Sequence, residues 1–225
     1  MTAPAIASRR TVLGLASVWL LSLFLESPAA FAQTFDLDKT LKGIENRYNS
    51  IQSLELQFSE TYTMKGHKRA ASGTLFLRKP GRMRWQYAEP AGRLFISDGQ
   101  YIYDYNPEDG QAERRKMKEA DDFRAPLAFL LGKLNFKDDF REFHTTMQGQ
   151  DALITSIPKS DKLPYTEVTF LAAPDFTIKQ LSVKGQEGFV IQYTFSGEKK
   201  NPPVVDAMFK FTPPPGVQIV DTTAR

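Results

Sequence analysis

The feature that most constrains this chain is a period-two alternation of apolar and polar residues that runs through most of its length. Leu54, Leu56, Phe58 and Tyr62 alternate with Glu55, Gln57, Ser59 and Thr61, and Met83, Trp85 and Tyr87 alternate with Arg82, Arg84 and Gln86. Successive side chains of a strand point to opposite faces, so the pattern predicts a sheet buried on one face and solvated on the other. Asp98-Gly99, set between Leu94-Phe95-Ile96 and Tyr101-Ile102-Tyr103, is a hairpin signal. Further strands are expected over 153–157, 166–171, 177–183, 189–195 and 207–212, separated by turns rich in Gly, Pro and Asp. The expectation is a long antiparallel meander.

Two stretches break the alternation. Leu37, Leu41, Ile44, Tyr48 and Ile51 are spaced 4, 3, 4 and 3 residues apart, which puts them on one face of a helix starting near Asp36. In the middle of the chain, Ala125 to Gly132 is a short apolar block with Pro126 near its start and glycine at its end, the punctuation of a brief helix, and Leu134, Phe136 and Phe140 suggest a second. A sheet of about ten to eleven strands with one apolar face tends to curl and must be covered. These helices are the covers available. They either cap the mouth of an unclosed antiparallel β-barrel as a lid, or fill the concavity so that Trp85, Tyr87 and Phe95 are simply core. Periodicity alone leans to the filled core.

The N-terminal region reads as a cleavable export signal. Ser8-Arg9-Arg10 precedes an apolar run of 14 residues from Val12 to Leu25, followed by Pro28 and the small-residue pattern Ala30-Phe31-Ala32. That run is shorter than the ~20 residues a membrane-spanning helix needs. Cleavage after Ala32 predicts a mature single domain over 33–225 starting at Gln33, with the formal charge moving from +3 to +2. Such a balance does not point to nucleic acid. Arg9-Arg10 also fits a twin-arginine signal, and ordinary secretion is the preferred reading.

The chain has no cysteine, hence no disulfide, no thiol nucleophile, no Cys-based metal site and no cysteine for lipid modification. Its two histidines, His67 and His144, are far apart and neither has a second histidine at ligand spacing. Ser97 beside Asp98-Gly99 lacks a Gly-x-Ser-x-Gly setting and reads as a turn residue. No catalytic residue, metal or cofactor is expected.

Several segments in order resemble the periplasmic lipoprotein carriers of the LolA family. They are Ser53 to Phe58, then Gly73-Thr74-Leu75-Phe76-Leu77-Arg78-Lys79-Pro80 running into Arg84-Trp85-Gln86-Tyr87, then Ser97-Asp98-Gly99 and Tyr105-Asn106-Pro107. Near the end, Asp206 to Pro214 followed by Gly216-Val217 is similar to the family's closing strand. The resemblance implies a monomeric periplasmic carrier that shelters acyl chains of lipoproteins in an apolar cavity, loaded by an inner-membrane ABC transporter and unloaded onto an outer-membrane lipoprotein receptor. It implies a cavity lined by Leu56, Phe58, Met83, Trp85, Tyr87, Phe95, Tyr103, Phe209 and Phe211, and a lid made by Leu37, Leu41, Ile44, Tyr48, Leu127, Phe129, Leu130 and Leu131. The basic residue before Pro80 tends to be arginine in the family; here it is Lys79, with Arg78 beside it. Alternation places Lys79 with Leu75 and Leu77 and Arg78 with Phe76, and Lys79 is the expected lid latch, bonding carbonyls near Leu127 to Leu131. The other class that stays open is a lipid-binding or envelope-sensing module of the same fold.

Overall fold

A computed structural model of the chain describes residues 35–117 and 134–222. The expected signal segment and the block containing Leu127, Phe129, Leu130 and Leu131 lie outside the described residues. Helix α1 (Leu37–Ser50) begins where its spacing predicts, because the Asp36 side chain accepts from the Lys39 backbone N–H at 3.0 Å and satisfies one of the free first-turn donors. Strands β1 (Ser53–Met64) and β2 (His67–Arg78) form a long hairpin. Lys65 and Gly66, at φ 49° and 83°, make the two-residue turn whose twist matches the strands it joins. Then follow β3 (Arg82–Glu89), β4 (Leu94–Asp98), β5 (Tyr101–Asn106) and β6 (Gln111–Lys116). After the undescribed block come α2 (Phe136–Asp139), β7 (Phe140–Gln148), β8 (Asp151–Pro158), β9 (Tyr165–Ala172), β10 (Ile178–Gly185), β11 (Val190–Lys200) and β12 (Gln218–Asp221).

The described strands form one sheet of twelve in the order β12-β6-β5-β4-β3-β2-β1-β11-β10-β9-β8-β7. It is unclosed, with β12 and β7 as its edges. The single meander expected from the sequence is therefore two: β1 to β6 and β7 to β11, joined by antiparallel pairing of β1 with β11. All neighbours are antiparallel except β12, which runs parallel to β6 and is fastened there by two bonds from Arg114 to Asp221, at 2.6 and 2.7 Å. Strand β6 carries only Ala112 as an apolar residue, so its sequence shows no alternation to read.

One expected strand is absent. Residues 207–212 do not join the sheet; Asp206–Phe209 is a 3-10 turn. Pro202-Pro203 and Pro213-Pro214-Pro215 flank it, and each proline removes a ladder donor and fixes φ. The alternation of Phe209 and Phe211 with polar residues serves a segment lying on the sheet instead of within it.

Candidate functional site

Paired residues of neighbouring strands share a face, so the register assigns every side chain to one side of the sheet. One row runs Leu56, Leu75, Trp85, Phe95 across β1 to β4, and beside it lie Leu54, Leu77, Met83 and Ser97. Phe58 pairs with Phe195, and a further row runs Tyr193, Leu181, Phe170, Ile154 across β11 to β8. The centre of this inner face is apolar and buried, with Leu75, Trp85, Leu181 and Ile154 at 0 % exposure, and its polar members Ser97, Glu60 and Asp104 lie toward its margins. At its centre the rings of Phe58 and Trp85 meet edge to face at 4.7 Å, Phe58 and Tyr87 at 5.2 Å, and Trp85 and Tyr193 at 5.3 Å. The structure thus brings together Leu56, Phe58, Met83, Trp85, Tyr87 and Phe95 from the expected cavity set.

Tyr103, Phe209 and Phe211 do not join them. Tyr103 pairs with Ile96, which pairs with Arg84, and this row faces the opposite, outer side. Phe211 stacks there on Tyr103 at 5.4 Å and leans on Tyr105 at 5.8 Å. The 3-10 turn containing Phe209 is held to the same side, where Arg84 donates to the Met208 carbonyl at 3.2 Å and Arg82 to Asp206 at 2.9 Å. Arg78 also bonds Asp206, and thus points to the side of Phe76 and ties down the C-terminal segment.

Helix α1 buries Leu41, Ile44 and Tyr48, with Leu37 half-buried. It lies on the inner side: the Glu45 carboxylate accepts from the Phe136 backbone N–H at 3.0 Å, and Phe136 stacks at 5.0 Å on Phe170 of the inner face. Phe176 packs so closely on Gly43 that a Cβ there would sit 2.4 Å from its ring. Polar contacts concentrate in the last turn of the helix. Tyr48 Oη donates to Glu198 at 3.0 Å and accepts from Ile178 N–H at 2.9 Å, while Arg47 pairs with the same glutamate. Burial, and then the Glu198 charge, push the Tyr48 phenol well above its ordinary value, so it stays a donor. Asn49 and the Leu134 backbone exchange two bonds, at 2.7 and 2.9 Å, which fixes the chain where it leaves the undescribed block.

Lys79 completes this cluster. Its Nζ donates to the carbonyls of Tyr48 at 2.8 Å and Asn49 at 3.2 Å, groups that lack partners within a helix end. Burial holds the lysine below its ordinary value. The carbonyls near Leu127 to Leu131, where the sequence places the partner of Lys79, lie outside the described residues. Sequence reasoning missed Glu45, Arg47, Asn49 and Glu198, because charged or amide residues at helical or strand spacing carry no sign that they will meet partners 85 to 151 positions away in the chain.

Beside the aromatic centre a cavity of about 450 Å³ opens at the β1–β2 hairpin end. Tyr87, Ile191 and Tyr193 form its floor, and Glu60, Arg69, Arg93 and Glu108 are among its walls. His67 and His144 are exposed, and Ser97, at the end of its inner row, is buried with its hydroxyl donating to the Gly81 carbonyl at 2.8 Å, a turn-supporting role. Among the described residues no group of His, Asp or Glu is arranged to hold a metal ion, and no helix is long and apolar enough to cross a membrane.

The chain is similar to known proteins in sequence and in fold. The family model for outer membrane lipoprotein carrier protein LolA matches residues 49–212. An outer-membrane lipoprotein carrier protein from Nitrosomonas europaea is 25 % identical over 182 residues, covering 80 % of this chain and 88 % of the relative. One from Yersinia pestis is 29 % identical over 181 residues, covering 79 % and 86 %. Among solved structures, an uncharacterized conserved protein from Thermus thermophilus superposes with a TM-score of 0.51 at 10 % identity, over 82 % of this chain and 98 % of that one, and shares the fold. A family match across most of the chain, on a sheet whose apolar face the matched residues build, places this protein in the outer-membrane lipoprotein carrier family, LolA.

Proposed function

We propose that this chain is a non-enzymatic carrier that takes lipoproteins across the periplasm to the outer membrane, holding their acyl chains against the inner face around Trp85. One observation carries the reading: a continuous buried apolar face on a sheet that never closes, covered by a helix whose fastening is a small set of polar bonds. In a closed barrel this face would be permanent core. Here α1 is held at its last turn by Lys79, Tyr48, Arg47 and Asn49, and the inner face can exchange that cover for acyl chains when those bonds break. Each methylene taken from water contributes ~0.8 kcal/mol, so a multiply acylated cargo is held by area alone and needs no chemistry. Delivery then depends on the difference between apolar environments, the carrier being slightly worse than the acceptor membrane.

In this reading Leu56, Phe58, Met83, Trp85, Tyr87 and Phe95 contact the chains, Leu37, Leu41, Ile44 and Tyr48 belong to the cover, and Lys79 is the latch that favours the closed state. An inner-membrane ABC transporter loads the carrier and an outer-membrane lipoprotein receptor unloads it. The exported form begins at Gln33, which N-terminal sequencing checks. The direct test is release: exported protein added to inner-membrane vesicles carrying a labelled lipoprotein and the transporter should draw the label into a soluble complex in the presence of ATP. Label that stays in the membrane pellet at saturating protein overturns the proposal.

A further inference from the structure

The cavity at the hairpin end differs in chemistry from the inner face it adjoins. Its floor is continuous with that face, since Tyr193 touches Trp85 at 5.3 Å and Tyr87 touches Phe58 at 5.2 Å. Its walls carry two arginines and two glutamates, which sum to zero. Half of this set is held in place: the Arg93 guanidinium lies 4.8 Å over the Tyr87 ring and 3.8 Å from Asp104, and Tyr87 Oη donates to Glu60 at 3.4 Å. The other half is not. Arg69 and Glu108 are exposed, and neither side chain enters an ion pair or hydrogen bond with the described residues.

An apolar floor with a few convergent charges at its rim is the pattern of a site that orients an amphiphile. A carboxylate headgroup would find two arginines but also two glutamates, and a purely cationic one the reverse. A headgroup with both signs meets each. Arginine's fork suits phosphate oxygens, and a carboxylate accepts from an ammonium. About 450 Å³ lies in the range that holds one small ligand. Resting on the carrier reading, we propose that this mouth binds a single-chain amphiphile with a zwitterionic phosphate-and-ammonium headgroup, a lysophospholipid, as a cargo separate from lipoproteins. The headgroup lies between Arg69 and Glu108, with the chain running over Tyr87 and Tyr193 toward Trp85.

Protein purified after export from cells expressing the full chain tests this by native mass spectrometry. It would be titrated with lysophosphatidylethanolamine, lysophosphatidylglycerol and the free fatty acid of the same chain length. The first should bind as a single molecule, about fivefold tighter than either of the others, the scale of one or two exposed charge pairs. Arg69→Glu and Glu108→Lys, both at exposed positions, should each remove most of that preference while leaving lipoprotein release from inner-membrane vesicles intact. Equal binding of the three amphiphiles, or a preference that both variants keep, overturns the site. Normal lipoprotein release beside such a result leaves the carrier reading standing, whereas selective lysophospholipid binding without release supports the site and overturns the carrier.

Discussion

The two halves of the sheet share an inner face but differ in what lies behind it. In β8 to β11 the outer face carries Thr155, Thr169, Ser182, Gln192 and Thr194, half-buried or exposed, with Leu171 beside Leu153 as its buried apolar spot, so most of this side is polar and open. In β2 to β6 the outer face carries Phe76, Ile96, Tyr103, Tyr105 and Ala112, and the C-terminal segment lies across part of it through Phe209, Phe211 and the arginines that hold Asp206. The β2 to β6 half is therefore sandwiched, and the β8 to β11 half is covered on one side only. A sandwiched half makes a stiff wall against which a cover can open, because its packing does not depend on what occupies the inner face. The bonds from Arg47 and Tyr48 reach β11 and the start of β10, so the more thinly covered half takes part of the α1 tether, while Lys79 just past the end of β2 supplies the rest.

The largest effect should come from the shared face. Trp85→Ala deletes the hub of the aromatic centre and is expected to lower unfolding free energy by about 3–5 kcal/mol in urea titration. Phe209→Ala sharpens the comparison: at 1 % exposure on the outer side it should cost roughly 3 kcal/mol, the scale of a core residue, and should open the segment around Asp206 to proteases. A loss below about 1 kcal/mol would mean that the outer layer adds nothing and the two halves are alike.

Next comes the tether. Tyr48→Phe leaves the Ile178 N–H and Glu198 each short of a partner and should cost about 1–2 kcal/mol. It should also change the alkaline limb. The folded-state phenol titrates above the ordinary value of 10.0, so its contribution is intact below that pH and is lost as pH rises through and beyond it. Urea midpoints measured between neutral pH and that range should fall less steeply in Tyr48→Phe than in the parent chain. Lys79→Leu removes two bonds to helix-end carbonyls and should shift the balance of α1 toward the open state about fivefold, read as slower transfer of bound lipoprotein to acceptor membranes. Arg78→Leu should leave transfer unchanged and instead loosen the Asp206 segment; the reverse result would exchange their roles. The smallest effect is expected on the solvated side. Thr169→Ala removes a 2.9 Å contact with Thr155 and should change stability by no more than roughly 0.5 kcal/mol.

Much of the fold was legible because burial on one face writes a period into the sequence. The stretches from Leu54 to Tyr62 and from Met83 to Tyr87 lie in β1 and β3, the Asp98-Gly99 turn separates β4 from β5, and α1 begins at the residue its spacing indicates. Strand β6, with one apolar residue in six, left no such trace, and 207–212 left a false one. Alternation reports that one side of a segment is dry. It does not report whether the dryness comes from a sheet face or from a loop pressed on a sheet, and only the flanking prolines argued against a strand.

By itself the sequence determined the periods, the turns and the absence of cysteine chemistry, all of which are local or compositional. It also carried the family resemblance that pointed to a carrier. Only the tertiary structure decided which apolar residues meet. Tyr103 and Trp85 are both aromatic residues at strand spacing, yet the register through Ile96 and Arg84 sends them to opposite sides of the sheet. The same holds for the cover: Lys79 finds its carbonyls in Tyr48 and Asn49, about thirty positions back in the chain, and Glu198 finds Tyr48 across 150. Periodicity is set by the geometry of one strand or helix, whereas partners are set by register and by how elements close on one another, and no local pattern in the chain encodes that choice.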